Sequence, residues 1–312
     1  MEGAMQEKIG NVVLNYEYYS GEDFYSDGAV EDELLEIAKL KLEDYSSLLA
    51  QKNSWPAVYH FSKIRQNIVE WIPMESDASI LEIGSGCGAI TGALAQKAGK
   101  VTCIELSKKR SYINAYRNYQ HGNVEIKVGN FQDIEGKLTE LYDYITLIGV
   151  FEYSQLYISG DSPYVEMLRK IRNHLNPGGK IVIAIENRLG MKYWAGCAED
   201  HNGRHYEGIE GYSHTSSGAR TFSKKELEGL FSEAGGLKAD FYYPYPDYKF
   251  PLVIYSDEYL PKKGELHNNM CNMDWQRFLL FDETRAYDSL VEQGQFPEFS
   301  NSFLVILERV ER

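Results

Sequence analysis

The stretch Ile80-Leu81-Glu82-Ile83-Gly84-Ser85-Gly86-Cys87-Gly88-Ala89-Ile90 constrains this chain more than any other. A short apolar run ends in an acid, three glycines alternate, and helix-like spacing follows. Glycine accepts backbone angles closed to other residues and lets a ligand approach the main chain. A strand, a glycine turn and a helix N-terminus in that order describe the nucleotide-binding corner of a doubly wound α/β sheet. Gly84, Gly86 and Ala89 fit the G-x-G-x-x-G/A spacing of dinucleotide sites. A nicotinamide or flavin enzyme is therefore one reading, and a glycine turn without a ligand is another.

Two features favour a different nucleoside. Glu82 stands at the strand end, where a carboxylate repels a pyrophosphate. Gly88 extends the pattern to E-x-G-x-G-x-G. That pattern resembles the first motif of the class I S-adenosylmethionine-dependent methyltransferases, whose ligand has no phosphate and carries a sulfonium and an ammonium group. A second apolar run, 100–105, also ends in an acid, Glu105. An acid about 20 residues past the loop suits ribose hydroxyls, a feature shared with NAD enzymes. Leu175-Asn176-Pro177-Gly178-Gly179 is a helix stop and tight turn before the run 181–186. This L-x-P-G-G is common in the methyltransferase class and hard to explain in a dehydrogenase.

The resemblance covers residues 78–190 well and the rest only by topology. It implies an α/β, Rossmann-like seven-stranded sheet of order 3-2-1-4-5-7-6 with the last strand antiparallel. It also implies S-adenosylmethionine as cofactor, with S-adenosylhomocysteine as product. The cofactor set it assigns is Glu82, Gly84, Ser85, Gly86, Gly88, Glu105, Leu106, Asn130, Phe131 and Gly149. Within that set Glu105 takes the ribose, and Asn130 and Phe131 meet the adenine. Residues after the fourth strand, near Glu152, lie beside the methyl group in this family.

At 312 residues and 43% hydrophobic, the chain can fill a large core. No apolar run approaches the ~20 residues needed to span a membrane, and the first residues lack signal-peptide regions. Four scattered cysteines, Cys87, Cys103, Cys197 and Cys271, form no C-x-x-C pair, which fits a reducing cytoplasm and neither zinc nor disulfides. The net charge of −14 has the wrong sign for long-range attraction to nucleic acid.

The expected domains are an N-terminal helical cap over 1–77 and the methyltransferase domain over 78–312. In the cap, Val30, Leu34, Ile37, Ala38 and Leu42 recur at helical spacing, and Val58, Phe61, Ile64, Ile68 and Trp71 line a second face. The aromatic, acidic stretch Tyr16 to Tyr25 is either a lid or a surface arm. A glycine-punctuated substrate loop is expected over about 187–220, with too little apolar periodicity for core. It resembles a bacterial subgroup associated with glycosyltransferases and surface-polysaccharide synthesis, which implies a glycan or small-molecule acceptor, methylated at oxygen. An insertion over about 247–300 is expected to hold a helix from Asp274 to Gln293, with Trp275, Phe278, Leu279, Ala286 and Leu290 buried. It either covers the substrate or makes a homodimer contact. A hydroxyl acceptor needs a base, and the candidates are Glu152, His201 and His205. No metal constellation is expected. A nicotinamide oxidoreductase and a noncatalytic partner protein of the same fold are the competing readings.

Overall fold

The computed structural model describes residues 5–23, 28–214, 218–269 and 277–310. Two compact units divide the chain: Met1–Leu147 with Asn173–Lys180, and Ile148–Arg172 with Ile181–Arg312.

The sheet of the first unit contains β1 (Gln6–Ile9), β2 (Val12–Tyr18), β3 (Ser79–Ile83), β4 (Lys100–Glu105), β5 (Val124–Gly129) and β6 (Tyr142–Ile148). Their order is β1-β2-β5-β4-β3-β6. Pairings from β2 through β6 are parallel, and β1 lies antiparallel to β2. Strands β3 and β4 are apolar on both faces because a parallel sheet of this kind is covered on both sides. Ile80, Leu81, Val101, Cys103 and Ile104 are all buried.

Residues 1–77 depart from the helical expectation. The described part begins with the β1–β2 hairpin, turned at Gly10-Asn11, with Gly10 in the left-handed region at φ 59°. The Asn11 amide donates to the Tyr119 carbonyl at 2.7 Å. Val12 and Leu14 alternate inward, a strand period that the neighbouring tyrosines obscure.

Helices then follow at Val30–Lys39, Ser46–Lys52 and Trp55–Phe61. Leu34, Ile37, Ala38, Tyr45, Ala57 and Phe61 form one core cluster with Cys87 of the glycine loop and Ile113 of the helix Lys108–Arg117. The N-terminal helices thus pack on the glycine loop. The second expected face does not continue as one helix. Ser62 is extended, and a 3-10 turn Lys63–Gln66 and short helix Asn67–Glu70 follow, so Ile64 and Trp71 remain exposed while Ile68 is buried.

The second unit carries the end of β7 (Leu175–Glu186), with β8 (Leu237–Tyr245), β9 (Val253–Ser256) and β10 (Ser302–Arg309), in the order β7-β10-β8-β9. Strand β10 is antiparallel to β8, with Leu304 opposite Tyr242, and β9 is antiparallel to β8. The expected order 3-2-1-4 is therefore present in the first unit, and 5-7-6 in the second. The described residues hold ten strands rather than seven, because β1, β2 and β9 are added.

Helix Lys224–Ala234 starts at a capping box of Ser223 and Glu226. The expected 274–293 helix is shorter. It runs Glu283–Glu292 from Asp282, whose carboxylate accepts the Arg285 amide. Phe278 and Leu279 precede it and are 63% and 81% exposed rather than buried. Ala286 and Leu290 are half-buried, and the face turned inward is that of Glu283 and Tyr287. Trp275 and Cys271 lie outside the described residues. Among the described residues, no helix is long and apolar enough to cross a membrane.

Candidate functional site

The glycine loop follows β3 in the first unit. Gly84, Gly86 and Gly88 have φ of 67°, 53° and 74°, a region that side chains rarely adopt. Their roles differ. A Cβ on Gly88 would collide with the side chains of Asn114 and Asn118, so this glycine lets the loop pack on the helix Lys108–Arg117. A Cβ on Gly86 would meet nothing within 4 Å. The space beside the Gly86 backbone is open, as a cradle for a ligand requires.

Two buried acids hold this loop. Glu105, at the end of β4, accepts the Gly86 amide at 2.7 Å through one oxygen and the Ser107 amide at 2.8 Å through the other. Each carboxylate oxygen can accept a second bond, so capacity for a ribose hydroxyl remains. Burial raises the Glu105 pKa, and the two amide bonds oppose that rise. Glu82 instead turns inward. Its Oε2 accepts the Thr91 hydroxyl at 2.6 Å and the Cys103 thiol at 3.4 Å. Asn114 donates to Thr91 at 3.0 Å and to Ser85 at 3.2 Å, which closes the network. Burial raises the Glu82 carboxyl to about 7 against these hydrogen bonds.

Asn130 caps the helix Phe131–Glu135 by accepting the Gln132 amide at 3.1 Å, and Phe131 is buried. Leu106 is half-buried between Glu105 and the helix cap Ser107. The aromatic N-terminal stretch reaches the same corner. Asp23 accepts the amides of Lys108 and Lys109 and the Ser107 hydroxyl, at 2.7 to 3.2 Å. These geometries fit the cofactor that the sequence implies.

The second unit holds a cluster of buried ionisable groups. Glu152 lies in a 3-10 turn, Phe151–Tyr153, and Glu186 ends β7. His201 comes from the 187–220 loop. Its Nε2 faces Glu152 Oε1 at 3.7 Å, and its Nδ1 bonds Glu199 Oε1 at 2.8 Å. The other Glu199 oxygen accepts the amides of His201 and Asn202, both at 2.8 Å. The loop therefore builds its own support for the ring, and Tyr153 packs edge-on against it.

Lys249 Nζ lies 2.8 Å from both Glu186 Oε1 and Asp200 Oδ1. Lys192 lies 2.9 Å from Asp200 and 2.8 Å from Asp247. Burial lowers the pKa of a histidine, but the Glu152 and Glu199 carboxylates outweigh it and hold His201 well above its usual value. Burial pushes Glu152 up, with His201 opposing and Glu186 assisting. Burial also opposes the charge on Glu186, yet Lys249 and His201 prevail and lower its pKa.

The structure thus brings Glu152 and His201 together. It places His205 against Phe278, at 5.2 Å between ring centroids, with its buried Nε2 lacking a partner among the described residues. Gly149 follows β6 at φ 69°, tight against Tyr248, whose hydroxyl also donates to Glu186 at 3.3 Å. The loop is not merely polar surface, since Lys192, Tyr193, Cys197, Glu199, Glu207 and Tyr212 are buried. Sequence reasoning misses Glu186, Glu199 and Lys249 as members of the site. Glu186 carries a signal, because it ends an apolar run as Glu105 does. Glu199 and Lys249 carry none: one sits in a loop without periodicity, and the other meets partners on distant segments.

Residues 81–181 match a family described as a methyltransferase domain. Ribosomal RNA small subunit methyltransferase A of Syntrophus aciditrophicus is 30% identical over 101 residues, 32% of this chain and 33% of that one. The rRNA adenine N-6-methyltransferase of Bacillus licheniformis is 39% identical over 67 residues, 22% of this chain and 23% of its own. The matched part spans about a third of the first relative's length and less than a quarter of the second's. Among solved structures, the CcbJ methyltransferase of Streptomyces caelestis is similar at 16% identity and a TM-score of 0.47, covering 80% of this chain and 90% of its own. With the glycine loop, the acid at the end of β4 and the strand order, the family match makes residues 81–181 a class I S-adenosylmethionine-dependent methyltransferase domain.

Proposed function

We propose that the protein is a cytoplasmic methyltransferase that moves the methyl group of S-adenosylmethionine to an oxygen of a small-molecule or glycan acceptor. Bound S-adenosylmethionine supplies an electrophilic methyl on a positively charged sulfur. The chain's part is to hold the donor, orient the acceptor and take its proton. On this reading Gly84, Ser85, Gly86 and Gly88 present backbone to the donor. Glu105 and Leu106 take the ribose side, and Asn130 and Phe131 the adenine.

The observation that carries the acceptor side is the buried Glu152–His201–Glu199 array. Methyl transfer to a hydroxyl releases a proton, so a base near the acceptor accelerates it. Glu152 suits that task, because burial makes it more basic than an exposed carboxylate. His201, bonded to Glu199 and facing Glu152, positions Glu152 rather than accepting the proton. His205, whose ring packs on Phe278, is the second candidate base on this reading. The contact of Asp23 with the helix Lys108–Arg117 supports the N-terminal segment as a cap over the donor.

The named relatives act on ribosomal RNA, which favours a second reading in which the acceptor is an adenine nitrogen of RNA. At 30% identity or more the likeness covers about a third of the chain or less, though a ribosomal RNA small subunit methyltransferase A of Mycoplasma capricolum extends it to 63% of the chain at 23% identity, and a net charge of −14 opposes binding to phosphates. The test is transfer of labelled methyl from S-adenosylmethionine to a panel of glycan precursors and to unmodified ribosomal RNA. Label in a glycan precursor, lost in Glu152→Gln with S-adenosylhomocysteine binding retained, is the expected result. Label confined to RNA overturns the proposal.

A further inference from the structure

We propose that Glu152, Glu186 and His201 form a binding site for one first-row divalent cation, of the Mn2+ to Zn2+ type. The three residues each offer one donor atom, and these atoms lie within 4.8 Å of one another. Sequence spacing gives no hint of this set, because the three come from separate segments. Metal–ligand bonds of about 2.0–2.2 Å put neighbouring donors about 3–3.5 Å apart, so the three side chains must draw in around the ion. The site uses the same cluster as the acceptor reading, but it does not depend on methyl transfer being the activity.

Two independent features point to a cation there. First, Glu152 Oε2 and Glu186 Oε2 are both fully buried and accept no hydrogen bond among the described residues. Their sister oxygens are engaged: Glu186 Oε1 by Lys249 and Tyr248, and Glu152 Oε1 near His201. An orphaned buried carboxylate oxygen is costly, and a cation held by the two glutamates would offset that cost.

Second, Glu199 bonds His201 Nδ1 at 2.8 Å. That bond turns Nε2 toward the two glutamates and is the carboxylate–histidine arrangement that orients metal-bound imidazoles. Two carboxylates with one imidazole suit Mn2+, Fe2+ or Zn2+ better than the all-oxygen cages of Ca2+.

The site is tested directly, without donor or acceptor. The chain, free of any polyhistidine tag and stripped with a chelator, is titrated with Mn2+ while free Mn2+ is followed by electron paramagnetic resonance. One Mn2+ per chain is expected, displaced by Zn2+ and not by equimolar Ca2+. Glu186→Gln and His201→Asn should each weaken binding tenfold or more. Glu199→Gln should weaken it roughly 10–100-fold by loosening the ring, and His267→Asn, on an exposed histidine, should change nothing.

Circular dichroism and S-adenosylhomocysteine binding report whether each variant folds. Should Glu186→Gln misfold for loss of its ion pair with Lys249, Glu152→Gln replaces it, since the ion pair that the structure gives Glu152 is with His201 rather than a lysine. Absence of stoichiometric binding in the wild type, or binding unchanged in both ligand variants, overturns the proposal. Methyl transfer scored separately in chelated and Mn2+-supplemented buffer keeps this result distinct from the fate of the acceptor reading.

Discussion

The Glu82 carboxylate is tied to Thr91 and Cys103, and burial lifts its pKa from 4.5 to about 7. The folded state therefore favours protonated Glu82. Its contribution to stability is fully present below pH 4.5 and is lost as the pH rises through 7. A rise of that size corresponds to about 3 kcal/mol at most. Glu82→Gln removes the titration while keeping the shape. The loss of melting temperature between pH 5.5 and pH 8 should therefore be smaller in Glu82→Gln than in the wild type. An unchanged pH dependence would show that Glu82 is ionised throughout. The position of Glu82 before the glycines suggests an acid turned toward a cationic ligand, and local pattern cannot tell that orientation from the inward one. Glu105 is legible by its spacing from the loop, because backbone amides at fixed positions dictate where an acid must stand. Lys249 is not, since it meets Glu186 and Asp200 from a distant segment, and such pairings are written in tertiary packing rather than in local pattern.

At the scale of elements, the strands that end beside glycines or acids are legible because buried parallel strands read as apolar runs. The β1–β2 hairpin is not, since its tyrosines mask the alternation of Val12 and Leu14. The helix after Asp282 starts late because its cap sets the boundary, whereas the upstream apolar residues Phe278 and Leu279 remain exposed. In the loop between β3 and the helix Thr91–Lys97, two glycines separate packing from binding. Gly88→Ala forces a Cβ against Asn114 and Asn118, while Gly86→Ala adds a methyl to open space. Both incur left-handed strain of roughly 1–2 kcal/mol, and only Gly88→Ala adds a clash. Thermal unfolding should therefore show the larger loss for Gly88→Ala. Calorimetry with S-adenosylhomocysteine should show a loss of affinity for Gly86→Ala out of proportion to its lost stability. Equal affinity in Gly86→Ala and wild type would remove this backbone from the donor site.

For the whole molecule, charge separates the two acceptor readings more sharply than the fold does. A donor domain is shared by enzymes with very different acceptors, so residues 81–181 carry no information on where the methyl goes. A net charge of −14 does. A protein that neutralises 6–10 phosphates loses about 10³–10⁵ in affinity between roughly 50 and 200 mM salt. A small neutral acceptor releases no such counterions, and screening alters its encounter with the protein little. Methyl transfer to a neutral glycan precursor should therefore change less than about twofold in kcat/KM over that salt range. Fluorescence anisotropy with a labelled ribosomal RNA fragment at about 50 mM salt, the condition most favourable to phosphate contacts, should give no saturable binding. Saturable binding whose affinity falls steeply with salt would mean that a local basic surface overrides the acidic total, and the acceptor would then be RNA.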